Sequence, residues 1–454
     1  MAKIKSAKEV RYLAFEGGGG KGIAFVGAIE ALEELEVLPV CIKDHDESRI
    51  KGISGASAGA ITALGVAMGM TAKDFSSVVK DGVTYKGKTV TLADFLDAPM
   101  LGQSRKVDNC RPNTEVMNLG DLIAFLGKIG LSYKLVMKYA NDFKGAVVGM
   151  LPLLLGPVAG TAAGIAGNKT LQRLLPTLDL YIVNFIFEKG LFPGFAVREF
   201  FGMLVNKYLV EPLREKHPEI PDGSVMSFSQ FYAYTGVDFV VAGTNVSTHE
   251  PAYFSAEKTP DFPVVEAVAI SMNIPFLFKP VKIDGRVTGS EEKDKKYRGL
   301  WMDGGTLNNL PLHAFDKASD LVCQGDALLK PLHPNMLALR LSPPKKGTSD
   351  AKACQGGGLP ILGLLFEKYY SFFDFAGDLY ETMMYYSEEG QLRTELERQQ
   401  TIEINTYCLS MTEFSPPEEV TKKPIAAAKK GVQDYFAQQL GDFPASDDDG
   451  TATV

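Results

Sequence analysis

The segment 52–60 constrains the fold more than any other part of the chain. It contains the pattern Gly-x-Ser-x-Gly at Gly55, Ser57 and Gly59, with an apolar, strand-like approach before it and a helix of small residues after it. This order predicts a nucleophile elbow, a tight strand-to-helix turn that exposes a serine hydroxyl. Glycines are expected beside the serine because larger side chains would collide there. The alternative is a Gly/Ala-rich turn that only packs closely against a neighbouring element.

A second glycine-rich segment lies upstream of the elbow. The apolar run 11–15 predicts a short buried strand, and a helix with apolar residues on one face is predicted from Ile23 onward. Between them stand Glu16, Gly17, Gly18, Gly19, Gly20, Lys21 and Gly22. A strand, a glycine run and a helix form an anion-binding geometry, because backbone N–H groups and the helix N-terminus converge.

Three kinds of binding site are alternative interpretations of this glycine loop. The spacing Gly17-x-Gly19-x-x-Gly22 matches the dinucleotide-binding pattern, but the acidic residue expected about 20 positions later at a strand end is missing. A P-loop needs Ser or Thr after its lysine, whereas Gly22 follows Lys21. The third alternative is an oxyanion hole, in which the same donors bind a smaller anion beside Ser57. We favour the third and keep a nucleotide-binding oxidoreductase as the alternative.

Ser57 needs a base, because an unperturbed serine is a poor nucleophile. The apolar run before Asp303 delivers this carboxylate into an Asp-Gly-Gly turn. The order serine, acid, histidine of the α/β-hydrolases is satisfied by Asp303 with His313 or His333. Because no histidine lies in a glycine-rich or strand-end context, Asp303 is the better candidate for the base. Without the elbow, Asp303 would be explained equally well as a residue that caps a turn.

Composition limits the classes of protein to be considered. A chain of 454 residues with a net charge of −8 and no basic stripe gives no sign of nucleic-acid binding. Its five scattered cysteines, without a Cys-x-x-Cys pair, argue against a zinc site or a disulfide framework and fit a reducing compartment. The charged N-terminus lacks the apolar core of a Sec-type signal.

The middle of the chain has a different character. Residues 145–167 carry no charge and approach the length that spans a bilayer, but prolines and glycines interrupt them. We therefore expect a mobile apolar lid, or a segment that dips into a membrane surface, rather than a span. A loop packed over the core is the alternative.

Other segments give simpler predictions. The charged but balanced segment 291–298 is expected to be a solvated loop. Residues 401–406 alternate like an edge strand, and residues 426–440 predict a closing helix. The acidic tail 441–454 is expected to be disordered.

Three motifs together resemble those of the bacterial patatin-like phospholipases. The segments 16–22, 55–59 and 303–305 have the order and spacing of that family. Further similar segments are 241–254, 266–275 and 308–311. The resemblance is good over 1–95 and 190–345 and weak over 97–189. Three ordered motifs are much more specific than any one of them.

The resemblance implies an α/β fold, namely a three-layer α/β/α sandwich with a mostly parallel central sheet. It implies a catalytic domain over 1–345 that contains a helical or apolar insertion or lid at 96–189. Helices and one strand within 346–440 are expected to pack on the same domain.

The resemblance also implies the site residues. Ser57 would be the nucleophile and Asp303 the base of a dyad without histidine. The family's oxyanion hole corresponds to the backbone N–H groups of Gly18, Gly19 and Gly20. Lys21 takes the family's basic position, and Glu16 stands where an aspartate is usual. Glycines that support the motifs are Gly17, Gly22, Gly55, Gly59, Gly304 and Gly305.

The activity implied by the resemblance is lipid acyl hydrolysis, often of the phospholipase A type, with no metal or cofactor. The expected partner is a phospholipid membrane surface, with an activating protein or small-molecule ligand as a further expectation. Some bacterial relatives are injected toxins, so a cytoplasmic protein and a secreted effector are both expected locations. A catalytically silent membrane-binding scaffold is the alternative from another class.

Overall fold

A computed structural model of the chain describes a defined set of residues. These are 4–42, 49–95, 97, 103–116, 138, 184–185, 188–316, 322–324, 327–329, 333–344, 382–383, 392, 394–409, 411 and 416–441. The predictions for 145–167, for most of the insertion 96–189 and for the tail lie outside them. Among the helices of the described residues, none combines the length and apolar character that a bilayer crossing requires.

The described residues form sixteen strands. Their bounds are β1 Tyr12–Phe15, β2 Gly52–Gly55, β3 Val83–Tyr85, β4 Lys88–Val90, β5 Gln103–Asp108, β6 Arg111–Val116, β7 Gly190–Phe192, β8 Asp238–Asn245, β9 Glu250–Phe254, β10 Phe276–Phe278, β11 Val281–Asp284, β12 Gly299–Asp303, β13 Val322–Gln324, β14 Ala327–Leu329, β15 Met336–Ser342 and β16 Thr401–Asn405.

The α-helices of the described residues are α1 Phe25–Glu34, α2 Ala58–Ala67, α3 Ala72–Asp81, α4 Phe195–Val205, α5 Glu211–Leu213, α6 Phe228–Thr235, α7 Val264–Ser271, α8 Glu291–Tyr297, α9 Glu395–Gln399 and α10 Glu418–Gly441. A π-helical turn, Asn206–Val210, joins α4 to α5. Short 3-10 turns are Ala7–Glu9, Gly19–Ala24, Leu92–Phe95 and Gly304–Thr306.

Ten strands form the central sheet. Nine of them lie in the order β16-β15-β1-β2-β8-β12-β11-β5-β6, and β9 pairs with β8 beside this path. The five strands from β16 to β8 are parallel to one another. Every residue of β2 is buried, as expected for a parallel sheet that helices cover on both faces. The predicted α/β fold with a mostly parallel central sheet is confirmed.

The sheet register brings the predicted site residues to one place. Because β1 and β2 are adjacent and parallel, the glycine loop and the elbow leave the same edge of the sheet. β8 connects this edge to Asp303: Val241 pairs with Gly55, while Gly243 pairs with Asp303 on the antiparallel strand β12. Asp303 therefore lies level with the turn that follows Gly55.

The C-terminal elements complete the sheet and cover it. β16 forms the edge of the sheet beside β15, as the alternation of its residues predicted. α10 packs closely on α1, since a Cβ atom at Gly27 would lie 1.8 Å from the carbonyl oxygen of Ile425. The helix begins at Glu418, earlier than the predicted residue 426. The division of the chain into domains stays a prediction.

One expectation about local structure is wrong. Residues 291–297 form helix α8 rather than a solvated loop. Acidic residues in its first turn and lysines in its last turn favour a helix through the helix dipole, and Tyr297 packs in the core. Cys408 is disulfide-bonded, whereas the cysteine pattern argued only against a disulfide framework. Sequence spacing does not reveal which thiols the fold brings within bonding distance.

Candidate active site

Ser57 occupies a strained turn between β2 and α2. Its backbone has φ 50° and ψ −124°, and such a conformation costs a non-glycine residue about 1–3 kcal/mol. A Cβ atom at Gly55 would lie 2.3 Å from the Gly59 carbonyl oxygen, and one at Gly59 would lie 2.2 Å from the Phe15 carbonyl oxygen. No larger side chain fits at either position without a steric clash, as the elbow interpretation predicted.

The structure brings Ser57 and Asp303 together across 246 positions of the chain. Ser57 Oγ donates a hydrogen bond to Asp303 Oδ2 at 2.8 Å, and both residues are buried. The other carboxylate oxygen, Oδ1, accepts the backbone N–H of Gly305 at 2.7 Å. One oxygen of Asp303 is thus held by the glycine turn while the other faces the serine hydroxyl.

The segment 271–273 supports both residues, and sequence reasoning missed this role. The backbone N–H of Ser57 donates to Ser271 Oγ at 2.9 Å. The backbone N–H of Asp303 donates to the Asn273 carbonyl oxygen at 3.0 Å. The only signal in the sequence was the position of these residues at the end of the predicted helix before Pro275.

The glycine loop lies directly against Ser57. A Cβ atom at Gly17 would lie 2.9 Å from Ser57 Cβ, and one at Gly22 would lie 2.8 Å from Ala58 Cβ. Asn309 fixes the start of the loop, because its carbonyl oxygen accepts the Gly17 N–H at 3.0 Å and its side-chain amide donates to the Gly17 carbonyl oxygen at 3.2 Å.

The three predicted oxyanion donors differ in their surroundings. Gly19 has φ 54°, a left-handed conformation that favours glycine. The N–H of Gly20 donates to the Met411 carbonyl oxygen at 2.9 Å, so this donor is already used. Within the described part of the chain, the N–H groups of Gly18 and Gly19 have no hydrogen-bond acceptor. Lys21 is half-buried in the same turn.

Glu16 has a structural function at the end of β1. Its carboxylate is fully buried and accepts the backbone N–H of Leu341 on β15. Arg340 approaches the second carboxylate oxygen at 3.8 Å. The glutamate that departs from the family pattern therefore joins two neighbouring strands.

Neither histidine considered as a base reaches Ser57. His313 bonds Asp316 through Nδ1 at 2.5 Å and Glu397 through Nε2 at 3.0 Å. The His333 ring packs against Tyr12, with ring centroids 4.3 Å apart. Burial alone would lower the pKa of His313, but the two carboxylates outweigh it and raise the pKa to about 9.

This ion cluster makes stability depend on pH. The folded-state pKa of His313 lies above its ordinary value of 6.5. Its contribution, about 3 kcal/mol, should be complete below pH 6.5 and disappear as pH rises through 9. Chemical denaturation of wild type and His313→Gln should show a difference in unfolding free energy that shrinks over this interval. A difference independent of pH would contradict the assignment.

An apolar pocket opens beside Ser57. Its cavity volume is about 90 Å³, and Gly19, Gly20 and Ala58 line it next to the serine. Apart from Ser57 and Thr62, its lining residues are apolar or glycine. Its walls include Ile23, Ile29, Phe75, Phe95, Phe200 and Met272. A hydrocarbon chain is the kind of ligand that such a surface favours.

Two known proteins are similar in sequence to short segments of this chain. The chain is 25% identical over 87 residues to the probable lipid hydrolase 463L of Invertebrate iridescent virus 6, covering 19% of this chain and 26% of the viral protein. It is 40% identical over 67 residues to the uncharacterized protein YqhO of Bacillus subtilis strain 168, covering 15% and 19% of the two chains. The chain thus spans about a quarter or less of the length of each of these two relatives.

Two solved structures are similar over most of this chain. VipD from Legionella pneumophila has a TM-score of 0.44 at 17% identity, covering 95% of this chain and 67% of that one. Full-length ExoU in complex with SpcU, from the type III secretion system of Pseudomonas aeruginosa, has a TM-score of 0.35 at 18% identity, covering 95% and 53%. Both TM-scores are too low to support a functional argument.

A family model decides the classification. The model described as patatin-like phospholipase matches residues 13–316. This interval begins in β1, contains the glycine loop and the elbow, and ends after the Asp303 turn. The chain therefore belongs to the patatin-like phospholipase family.

Proposed function

We propose that this protein is a lipid acyl hydrolase of the phospholipase A type, which cleaves fatty-acyl esters of membrane phospholipids. The observation that carries the proposal is the 2.8 Å hydrogen bond from Ser57 to Asp303 beside an apolar pocket. The hydroxyl and carboxylate supply a nucleophile and a base, while the pocket suits the acyl chain of the ester.

The proposed reaction has two steps. Ser57 Oγ attacks the ester carbonyl while Asp303 accepts the hydroxyl proton. The tetrahedral intermediate collapses to an acyl-serine, and Asp303 returns the proton to the departing lysophospholipid alkoxide. Water then attacks the acyl-serine, Asp303 accepts a proton from that water, and Ser57 leaves with this proton as the fatty acid is released.

The oxyanion that forms in each step needs donors. We assign this role to the N–H groups of Gly18 and Gly19, supported by the N-terminus of α2. One such donor typically contributes about 3–4 kcal/mol to transition-state stabilisation. Gly20, the third residue of the sequence-based prediction, is omitted because its N–H already bonds Met411.

Two other functions were considered from the sequence. A nucleotide-binding oxidoreductase gains no support, because the glycine loop lies against Ser57 and the family is one of lipid hydrolases. A silent membrane-binding scaffold would share the fold but release no product. We propose a phospholipid surface as the partner. The need for an activating protein or ligand, and the cellular location, stay predictions.

Replacing the base tests the proposal. Asp303→Asn removes the proton acceptor but keeps the side-chain shape, so fatty-acid release should fall by about 10²–10⁴-fold. Product analysis by mass spectrometry on vesicles of mixed phospholipids measures this rate. Asp81→Asn, at the exposed end of α3, is the matched control and should retain the wild-type rate.

Two results would overturn the proposal. One is an Asp303→Asn protein that releases fatty acid at the wild-type rate. The other is a wild-type protein that binds the vesicles and releases no fatty acid, which would favour the silent scaffold.

A further inference from the structure

The proposed mechanism assigns no role to the hydrogen bond that the backbone N–H of Ser57 makes. This N–H donates to Ser271 Oγ at 2.9 Å, and both residues are buried. A buried N–H without an acceptor is strongly unfavourable. Because Ser57 has φ 50°, its hydrogen bond to Ser271 stabilises an uncommon backbone conformation. This conformation presents the hydroxyl to Asp303.

The chain segment that contains Ser271 also holds the base. Two residues later, the Asn273 carbonyl oxygen accepts the Asp303 N–H at 3.0 Å. The Asn273 side chain is itself fixed, since its amide donates to the Lys279 carbonyl oxygen at 2.8 Å. The relative position of hydroxyl and carboxylate is therefore set by one short stretch of the chain, through the Ser271 hydroxyl and the Asn273 carbonyl oxygen.

The other end of helix α7 is anchored by buried charges. Arg198 Nε donates to Glu266 Oε2 at 2.8 Å, and Arg105 Nε donates to Glu266 Oε1 at 2.9 Å. Burial alone would raise the pKa of Glu266, but the two guanidinium groups hold it below its ordinary value. A charged, doubly bonded carboxylate thus limits sliding of the helix that delivers the Ser271 hydroxyl.

We propose that Ser271 is a positioning residue for the nucleophile, an inference that rests on the proposed function. Ser271 is not among the residues that line the apolar pocket, whereas Met272 and Ile274 are. It therefore acts on the reaction through Ser57 and not through contact with the acyl chain. Its loss should lower kcat and leave KM unchanged.

The test compares variants by their rate of covalent labelling with an alkyl fluorophosphonate. Ser271→Ala removes the acceptor, and labelling of Ser57 should slow by about 10–100-fold, the range expected for a misplaced reacting group. Ser271→Thr keeps a hydroxyl and should restore most of the rate. If the alanine variant does not fold, Ser271→Cys keeps nearly the same size with a weak acceptor and should also label slowly.

Ser255→Ala is the matched control. Ser255 is buried, and its Oγ accepts the backbone N–H of Lys258 at 3.1 Å, so the variant loses the same kind of bond away from the dyad. We expect a lower Tm with wild-type labelling. Hydrolysis of a soluble short-chain ester supplies kcat and KM separately for every variant.

The outcomes separate this inference from the proposed function. Wild-type protein that neither labels at Ser57 nor releases fatty acid would overturn both. If the wild-type protein labels at Ser57 and releases fatty acid, but the Ser271→Ala variant labels at the wild-type rate, only the role of Ser271 would be overturned. A Ser271→Ala variant with raised KM and unchanged kcat would overturn this role as well.

Discussion

Replacing Ser57 with alanine is expected to abolish ester hydrolysis while the protein remains folded. Ser57 Oγ is the atom bonded to Asp303 at 2.8 Å, and no other group can form the acyl intermediate in the proposed reaction. Removing a nucleophile of this kind lowers kcat by roughly 10⁴–10⁶-fold. Fatty-acid release from phospholipid vesicles measures the loss, and the Tm shows whether the fold is retained.

A second serine provides the control for this experiment. Ser76 lies on the exposed face of α3, so Ser76→Ala should keep both the wild-type rate and the wild-type Tm. If Ser57→Ala were to hydrolyse phospholipid at a rate close to that of Ser76→Ala, Ser57 would not be the nucleophile.

Adding one methyl group at Gly19 should also cause a large loss of activity. Its Cβ atom would lie 2.1 Å from the Met411 carbonyl oxygen, which is backbone and cannot rotate away. The loop must therefore shift, and the N–H groups of Gly18 and Gly19 would leave their positions beside Ser57. We expect Gly19→Ala to lower kcat by about 10²–10³-fold, the effect of losing an oxyanion donor.

Gly87→Ala separates the effect of the clash from that of backbone strain. Gly87 also has a positive φ, of 80°, but nothing lies within 4 Å of a Cβ atom added there. Both variants place alanine in a strained conformation, which costs about 1 kcal/mol of stability. Equal turnover of the two variants on a soluble ester would show that the glycine loop has no part in the reaction.

The main residues of the candidate site could be located from the sequence because each belongs to a local motif. The Gly-x-Ser-x-Gly pattern reports a tight turn, and the structure shows the close contacts of Gly55 and Gly59 that exclude larger side chains. The turn after Asp303 is likewise local, since Gly305 donates to the carboxylate two residues earlier. The family resemblance then supplied the sheet that brings these turns together.

Contacts between residues that are far apart in the sequence could not be predicted, because no local sequence pattern indicates them. The bond from Ser57 to Ser271 joins residues 214 positions apart. The carbonyl oxygen of Met411 comes from beyond the interval that the family model matches, 13–316, and it occupies the N–H of Gly20. Neither contact follows from periodicity, spacing or residue type, because tertiary packing alone decides which backbone groups meet.

The identity of the reactive hydroxyl is the central claim, and mapping a covalent adduct tests it most directly. Wild-type protein is treated with an alkyl fluorophosphonate, digested and analysed by mass spectrometry. We predict a single adduct on Ser57, formed much more slowly in the Asp303→Asn variant. Release of fatty acid by a protein that carries its adduct on another residue, or that labels equally fast without the Asp303 carboxylate, would contradict the dyad.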